Sequence, residues 1–172
     1  MRELILGGAR SGKSRLAQRR AADSGLAVTV IATATALDDE MAERIARHQA
    51  DRPGHWQVVE EPVALADALR AHAAADRCLL LDCLTLWLSN LLAEGEEAFA
   101  RQRDDLLDAL PELPGEILLV GNEIGLGVVP VGRLTRRFVD ENGWLHQAVA
   151  ERCERVTLCV AGLPMTLKDG LA

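Results

Sequence analysis

A chain of 172 residues with 49% hydrophobic and 26% charged side chains has enough apolar material for one core, which excludes a disordered chain or a disulfide-stapled miniprotein. Its 26 acidic against 19 basic residues give a net charge of −7, which argues against a broad electrostatic footprint for nucleic acid and leaves room for a local anion site. Lys13 and Lys168 are the only lysines, so a lysine at a chemically telling position carries information. Cys78, Cys83, Cys153 and Cys159 lie mostly inside apolar runs, without CxxC or zinc-ligand spacing, and read as reduced core residues. No apolar run reaches the about 18 residues of a membrane span. The first residues show no secretory pattern, so a cytoplasmic enzyme or binding protein is expected.

Leu4-Ile5-Leu6, stopped by Gly7-Gly8, predicts a buried strand entering a glycine loop. Ser14 to Asp23 has helical composition and ends near Gly25. Ala27 to Ala32 predicts a second strand, and Leu37 to Ala50 a charged helix with Met41, Ile45 and His48 at helical spacing. A short strand is expected around Trp56 to Val59, then a helix from Val63 to Ala74. Leu79-Leu80-Leu81, running into Asp82, has the continuous apolar character of a buried parallel strand. Leu84 to Ala93 and Ala98 to Leu110 predict helices separated by an acidic break at Glu94 to Glu97. Ile117 to Val120 is a further strand, Gly121 to Gly132 a glycine-rich loop, Leu134 to Glu151 a long helix and Arg155 to Val160 the last strand. This alternation predicts a single α/β domain over residues 1–172, with a mostly parallel sheet covered by helices on both faces.

Gly7-Gly8-Ala9-Arg10-Ser11-Gly12-Lys13-Ser14 fits G-x-x-x-x-G-K-[ST] and sits between a predicted strand and a predicted helix, the context a P-loop requires. Glycines let backbone N–H groups turn inward on phosphate oxygens, Lys13 can reach the β and γ phosphates, and the Ser14 hydroxyl can ligate Mg²⁺. The bland alternative is an ordinary glycine turn. A second carboxylate is needed for the metal, and Asp82 is expected to supply it from the end of its strand. Glu123 is the rival, but Gly121 and Asn122 separate it from the Ile117 to Val120 strand and place it in the loop. The N-K-x-D of a guanine-reading switch is absent, and no Arg-rich lid of a nucleoside monophosphate kinase stands out.

Further blocks are more discriminating: Ile31-Ala32-Thr33-Ala34, Asp38-Asp39-Glu40-Met41 with Arg44-Ile45 and His48, and Arg52-Pro53-Gly54-His55-Trp56. Leu81-Asp82-Cys83-Leu84-Thr85 with Asn90-Leu91-Leu92 follows, then Asn122-Glu123-Ile124-Gly125-Leu126-Gly127-Val128-Val129-Pro130. With these, nearly the whole chain resembles the bifunctional adenosylcobinamide kinase / adenosylcobinamide-phosphate guanylyltransferase family of cobalamin biosynthesis. The resemblance implies a P-loop fold and two reactions: phosphorylation of adenosylcobinamide by ATP or GTP, then transfer of GMP from GTP to that phosphate through a guanylyl-histidine. It places the histidine at His48, whose imidazole is largely neutral near pH 7 and able to attack phosphorus. Without the resemblance, His48 reads as a surface or half-buried histidine. His55 is its nearest competitor, beside the Pro53-Gly54 turn; His72 and His146 read as structural.

The same resemblance places nucleotide contacts on the phosphate loop, on Ala32, Thr33 and Ala34, on Gln49, Ala50, Asp51 and Arg52, and on Glu60 and Asp82. Glu60 is equally well an exposed strand-end carboxylate. Arg10 and Arg52 could neutralise phosphate charge, and the Gly121 to Pro130 loop reads as a corrin-side or subunit-contact loop. The expected partners are GTP, ATP and adenosylcobinamide with Mg²⁺, and the resemblance suggests a homo-oligomer such as a trimer. Two other readings stay open: a chain with one activity, or a regulatory module that binds nucleotide without transfer. Since 172 residues cannot hold two catalytic domains, two activities would share one P-loop.

Overall fold

The computed structural model describes residues 1–35, 39, 42–43, 46 and 52–170. Its strands are β1 (Arg2–Gly7), β2 (Ala27–Ala32), β3 (Gln57–Glu60), β4 (Arg77–Asp82), β5 (Glu116–Asn122), β6 (Arg155–Val160) and β7 (Leu163–Asp169). Its helices are α1 (Lys13–Asp23), α2 (Leu65–His72), α3 (Leu84–Glu94), α4 (Glu96–Ala109) and α5 (Arg133–Arg152), with a 3₁₀ turn at Leu110–Glu112. The strands form one sheet in the order β3-β2-β4-β5-β1-β6-β7. All neighbours are parallel except β6 and β7.

The period-2 alternation of side chains divides the core between the two faces of the sheet. Leu4, Leu6, Leu79, Leu81, Ile117 and Leu119 point to one face, where they meet Leu65 and Leu69 of α2, Trp87 and Leu91 of α3, Phe99 and Leu106 of α4, and Leu145 and Val149 of α5. Ile5, Val28, Val30, Leu80, Leu118 and Val120 point to the other, against Leu16, Ala17 and Ala21 of α1 and against Trp56. Strands buried on both faces explain why their sequences read as unbroken apolar runs. The four cysteines are free and buried; burial pushes the Cys83 and Cys153 thiols up to about 12 and Cys78 to about 11, which makes them inert core residues.

The mostly parallel α/β architecture agrees with the sequence reading, with three differences. A seventh strand, β7, turns back along β6; Pro164 breaks its β pattern, yet an edge strand tolerates proline because one side of its backbone needs no partner. The acidic break between α3 and α4 narrows to Gly95, whose φ of 98° turns the chain without a longer loop. Strand β5 runs two residues beyond Val120, so Gly121 and Asn122 belong to the sheet. Of the helix predicted over 37–50, only 39, 42, 43 and 46 are described, and all four are helical.

Candidate phosphate-binding site

β1 delivers the chain to the C-terminal edge of the sheet, and residues 8–12 turn it into α1, which begins at Lys13. Two glycines, one at the end of β1 and one in this turn, are required by geometry. A Cβ on Gly7 would stand 2.3 Å from Ser11 Oγ and 2.8 Å from the carbonyl oxygen of Cys159. Gly12 has a φ of 93°, in the left-handed region, and a Cβ there would press on Gly162 Cα at 3.1 Å. The Gly12 carbonyl accepts the Leu16 N–H at 2.9 Å and so begins the helix.

Lys13 is only 9% exposed, and its Nζ donates to the Gly8 carbonyl at 3.1 Å, so the ammonium lies folded over the loop it serves. Burial lowers its pKa, while Cys83, Asp82 and Cys159 pull it back upward. Among the described residues, Ser11 Oγ is buried and without a hydrogen-bond partner. A cavity of about 780 Å³ opens over this loop, lined by Arg10, Ser11, Gly12, Lys13, Ser14 and Arg15 of the loop and helix and by Ala161 and Gly162.

The last two are the turn between β6 and β7, which the sequence reading left out of the site. Both have positive φ, 52° and 80°, as a two-residue hairpin turn demands, and the Gly162 N–H donates to the Ser11 carbonyl at 2.8 Å. The signal was present as an Ala-Gly pair between two apolar stretches.

Asp82 ends β4 level with Ala32 and Glu60 on the neighbouring strands. Its Oδ2 accepts from Arg52 Nη2 at 3.1 Å, in a pair whose side chains are 18% and 7% exposed. Asp82 is also a carboxylate whose charge Lys13 feels. The Ser14 hydroxyl and the Asp82 carboxylate are oxygen donors of the kind Mg²⁺ takes, and this ion commonly binds through one or two protein ligands together with phosphates.

Thr33 is fully buried and occupied. Its hydroxyl donates to the Cys83 carbonyl at 2.7 Å and accepts the Cys83 N–H at 2.9 Å. Its own N–H donates to the Asp82 carbonyl and its carbonyl accepts from Asn90 Nδ2 at 2.9 Å. These bonds clamp the ends of β2 and β4 together and hold Asp82 in place. Ala32 and Ala34 are half-buried on either side of it, and Glu60 is exposed. His48, Gln49, Ala50 and Asp51 lie outside the described residues.

A second polar group lies under the end of β5. His146 is buried, and desolvation pushes its pKa down to about 4 against a raising influence from Glu123. Its Nε2 has no partner among the described residues and would meet a Cβ on Gly121 at 2.5 Å, which explains the glycine there. Below its ordinary value of 6.5 the unfolded chain takes up a proton that the folded imidazole refuses, so stability is complete above 6.5 and falls toward pH 4. The expected loss is up to about 3 kcal/mol. Urea midpoints for wild type and His146→Gln at pH 7.5 and 4.5 check this: the wild type should lose more.

A family model described as cobinamide kinase / cobinamide phosphate guanyltransferase matches residues 3–167. The bifunctional adenosylcobalamin biosynthesis protein CobP of Pseudomonas aeruginosa is 67% identical over 169 residues, covering 98% of both chains. The protein of the same description from Salmonella typhimurium, CobU, is 40% identical over 179 residues, covering 96% of this chain and 98% of its own. Among solved structures, the RadB recombinase superposes with a TM-score of 0.52 at 13% identity, covering 91% of this chain and 73% of that one. A Pyrococcus horikoshii OT3 protein gives 0.54 at 9% identity, covering 97% and 85%. These two likenesses show the fold alone.

Proposed function

We propose that this chain, which belongs to the cobinamide kinase / cobinamide phosphate guanyltransferase family, runs both of that family's reactions at its one phosphate loop. It is a kinase and a guanylyltransferase of cobalamin biosynthesis. The aminopropanol hydroxyl of adenosylcobinamide takes the γ-phosphoryl group of ATP or GTP, and the resulting phosphate takes GMP from GTP with release of pyrophosphate. The observation that carries the shared-site reading is Lys13, a buried ammonium folded over a strand-loop-helix anion cradle that opens on a large cavity.

In this reading the backbone N–H groups of residues 8–13 and the Lys13 ammonium hold the triphosphate, and Arg10 stands where further charge can be neutralised. Ser14 and Asp82 would hold Mg²⁺, which supplies charge neutralisation on the phosphate oxygens. Thr33 keeps Asp82 at the sheet edge, and Arg52 screens its carboxylate. His48 attacks the α-phosphorus of GTP, its Nε2 or Nδ1 forming the P–N bond as pyrophosphate leaves; the acceptor phosphate then takes GMP from it. Ala32, Thr33, Ala34, Gln49, Ala50, Asp51, Arg52 and Glu60 complete the nucleotide contacts. The whole chain acts as a single domain, in the cytoplasm, as a homo-oligomer such as a trimer. Apolar side chains exposed on the β7 edge, Leu163 and Met165 among them, suit a subunit contact.

The test is covalent labelling. With GTP labelled at the α-phosphate, the wild type is expected to acquire acid-labile, alkali-stable label, and His48→Ala to acquire none. Undiminished label in His48→Ala would remove the guanylyl-histidine from the mechanism.

A further inference from the structure

The kinase step has a chemical need that the phosphate loop does not meet. An alkyl hydroxyl attacking the γ-phosphorus must give up its proton, and hydroxyl kinases place a carboxylate beside it for that purpose. We infer that Glu123 is this general base.

Three observations bring Glu123 to the place. First, β5 lies between β4, which ends in Asp82, and β1, which ends in the phosphate loop, and all three strands deliver their ends to the same edge. Glu123 is the first residue beyond β5, and its N–H donates to the Gly7 carbonyl at 3.0 Å, so its backbone is docked on the loop itself. Second, the preceding peptide is held from both sides by buried side chains. The Asn122 N–H donates to Thr85 Oγ1 at 2.8 Å, Thr85 Oγ1 donates to Asn142 Oδ1 at 3.1 Å, and Asn142 Nδ2 donates to the Asn122 carbonyl at 3.1 Å. Thr85 and Asn142 are 4% and 2% exposed. Such a closed ring fixes the direction in which the next side chain leaves the sheet, the support a catalytic group needs.

Third, the other carboxylates of this edge among the described residues are engaged or remote. Asp82 is paired with Arg52 and stands near Lys13. Glu60 and Glu61 stand at and just beyond the end of β3, the outermost strand and the farthest on that side from β1. Glu123 makes one side-chain hydrogen bond among the described residues, accepting the Gly125 N–H on Oε1 at 2.5 Å. Its second oxygen remains able to accept a proton. Residues 124–132 that follow carry no charge, so no neighbouring cation in that stretch competes for the carboxylate.

The step balances simply. The hydroxyl oxygen forms a bond to the γ-phosphorus, the bond from that phosphorus to the β–γ bridging oxygen breaks, the nucleoside diphosphate leaves with the electron pair, and the hydroxyl proton passes to Glu123 and then to water. The second reaction differs in kind. Its acceptor is a phosphate monoester, whose second pKa near ~6 leaves an anionic oxygen at neutral pH, so no proton has to be removed. A base at Glu123 therefore serves the kinase step alone.

Glu123→Gln separates the two reactions. The glutamine amide oxygen can still accept the Gly125 N–H, so the turn is kept while the basicity is lost. This inference rests on the two-reaction reading, and the two assays are run on the same preparations: phosphate transfer to adenosylcobinamide, and GMP transfer to chemically supplied adenosylcobinamide phosphate, with thermal melting as a control of folding. Glu123→Gln is expected to lose about a hundredfold or more in the first, as removal of a general base does, and to stay within a few-fold of wild type in the second. Kinase activity retained in Glu123→Gln would reduce Glu123 to a turn residue, and parallel loss of both transfers would make it a structural support of the loop; either overturns the inference alone. A wild-type chain lacking kinase activity would overturn the two-reaction reading with it.

Discussion

Lys13→Ala is expected to depress phosphate transfer and GMP transfer together, each by about a hundred- to a thousandfold, the usual cost of removing a preorganised charge from a phosphoryl-transfer site. The reason is placement. The ammonium is almost wholly excluded from water and already directed onto the loop by its bond to the Gly8 carbonyl. It is held at the loop before any nucleotide arrives, and no second lysine lies within this segment of the chain. Arginine should rescue poorly, because its planar fork does not fit a space shaped around a compact ammonium. Steady-state assays of both reactions on one preparation check this, and loss of only one would mean that the two reactions do not share the loop.

The same burial predicts that the fold does not need this charge. Desolvation holds the Lys13 pKa below 10.5, so the unfolded chain binds the proton more tightly than the folded one. Its contribution to stability is thus unfavourable below the lowered value and is relieved as pH rises toward 10.5. Lys13→Met should melt no lower than wild type at pH 8 while remaining inactive, so a failed assay cannot be blamed on unfolding.

The phosphate loop was legible because letters and context coincide: a short apolar strand, glycines where a Cβ would collide, and one of only two lysines in a chain whose other basic residues are arginine. Asp82 was legible for a related reason, since a carboxylate after four buried residues can only emerge at a strand end. What the sequence hid were pairings across the sheet. Thr33 appears as one polar residue after a strand, and only the parallel register of β2 and β4 shows that its hydroxyl is consumed by the backbone of Cys83. Glu123 looked displaced into a loop because Gly121 reads as a strand breaker. Packing against His146 supplies the reason for that glycine and lets β5 continue to Asn122. The turn at Ala161-Gly162 was lost with β7, since a strand opening on Leu163-Pro164 offers little local signal.

A charge hidden inside a strand has the largest consequence for stability. Glu3 lies on β1 at 0% exposure, one residue before the apolar run that identified the strand. Its Oε1 accepts from Arg20 Nη1 on α1 and from Thr157 Oγ1 on β6 at 2.7 Å. The pair thus ties the helix that opens at the phosphate loop to the strand that delivers the loop. Arg20→Met would strand a carboxylate with one hydroxyl donor, and breaking a buried ion pair from one side typically costs about 3–5 kcal/mol. Glu3→Gln/Arg20→Met should recover part of that loss, because the amide still takes the Thr157 bond and no buried charge remains. Urea denaturation of the two single variants and the double variant measures the coupling. A coupling below about 0.5 kcal/mol would mean that water reaches Glu3 and the brace is nominal. A strong one means that α1, and with it the orientation of Lys13 and Ser14, is held by a charge pair on the face opposite the main helical layer.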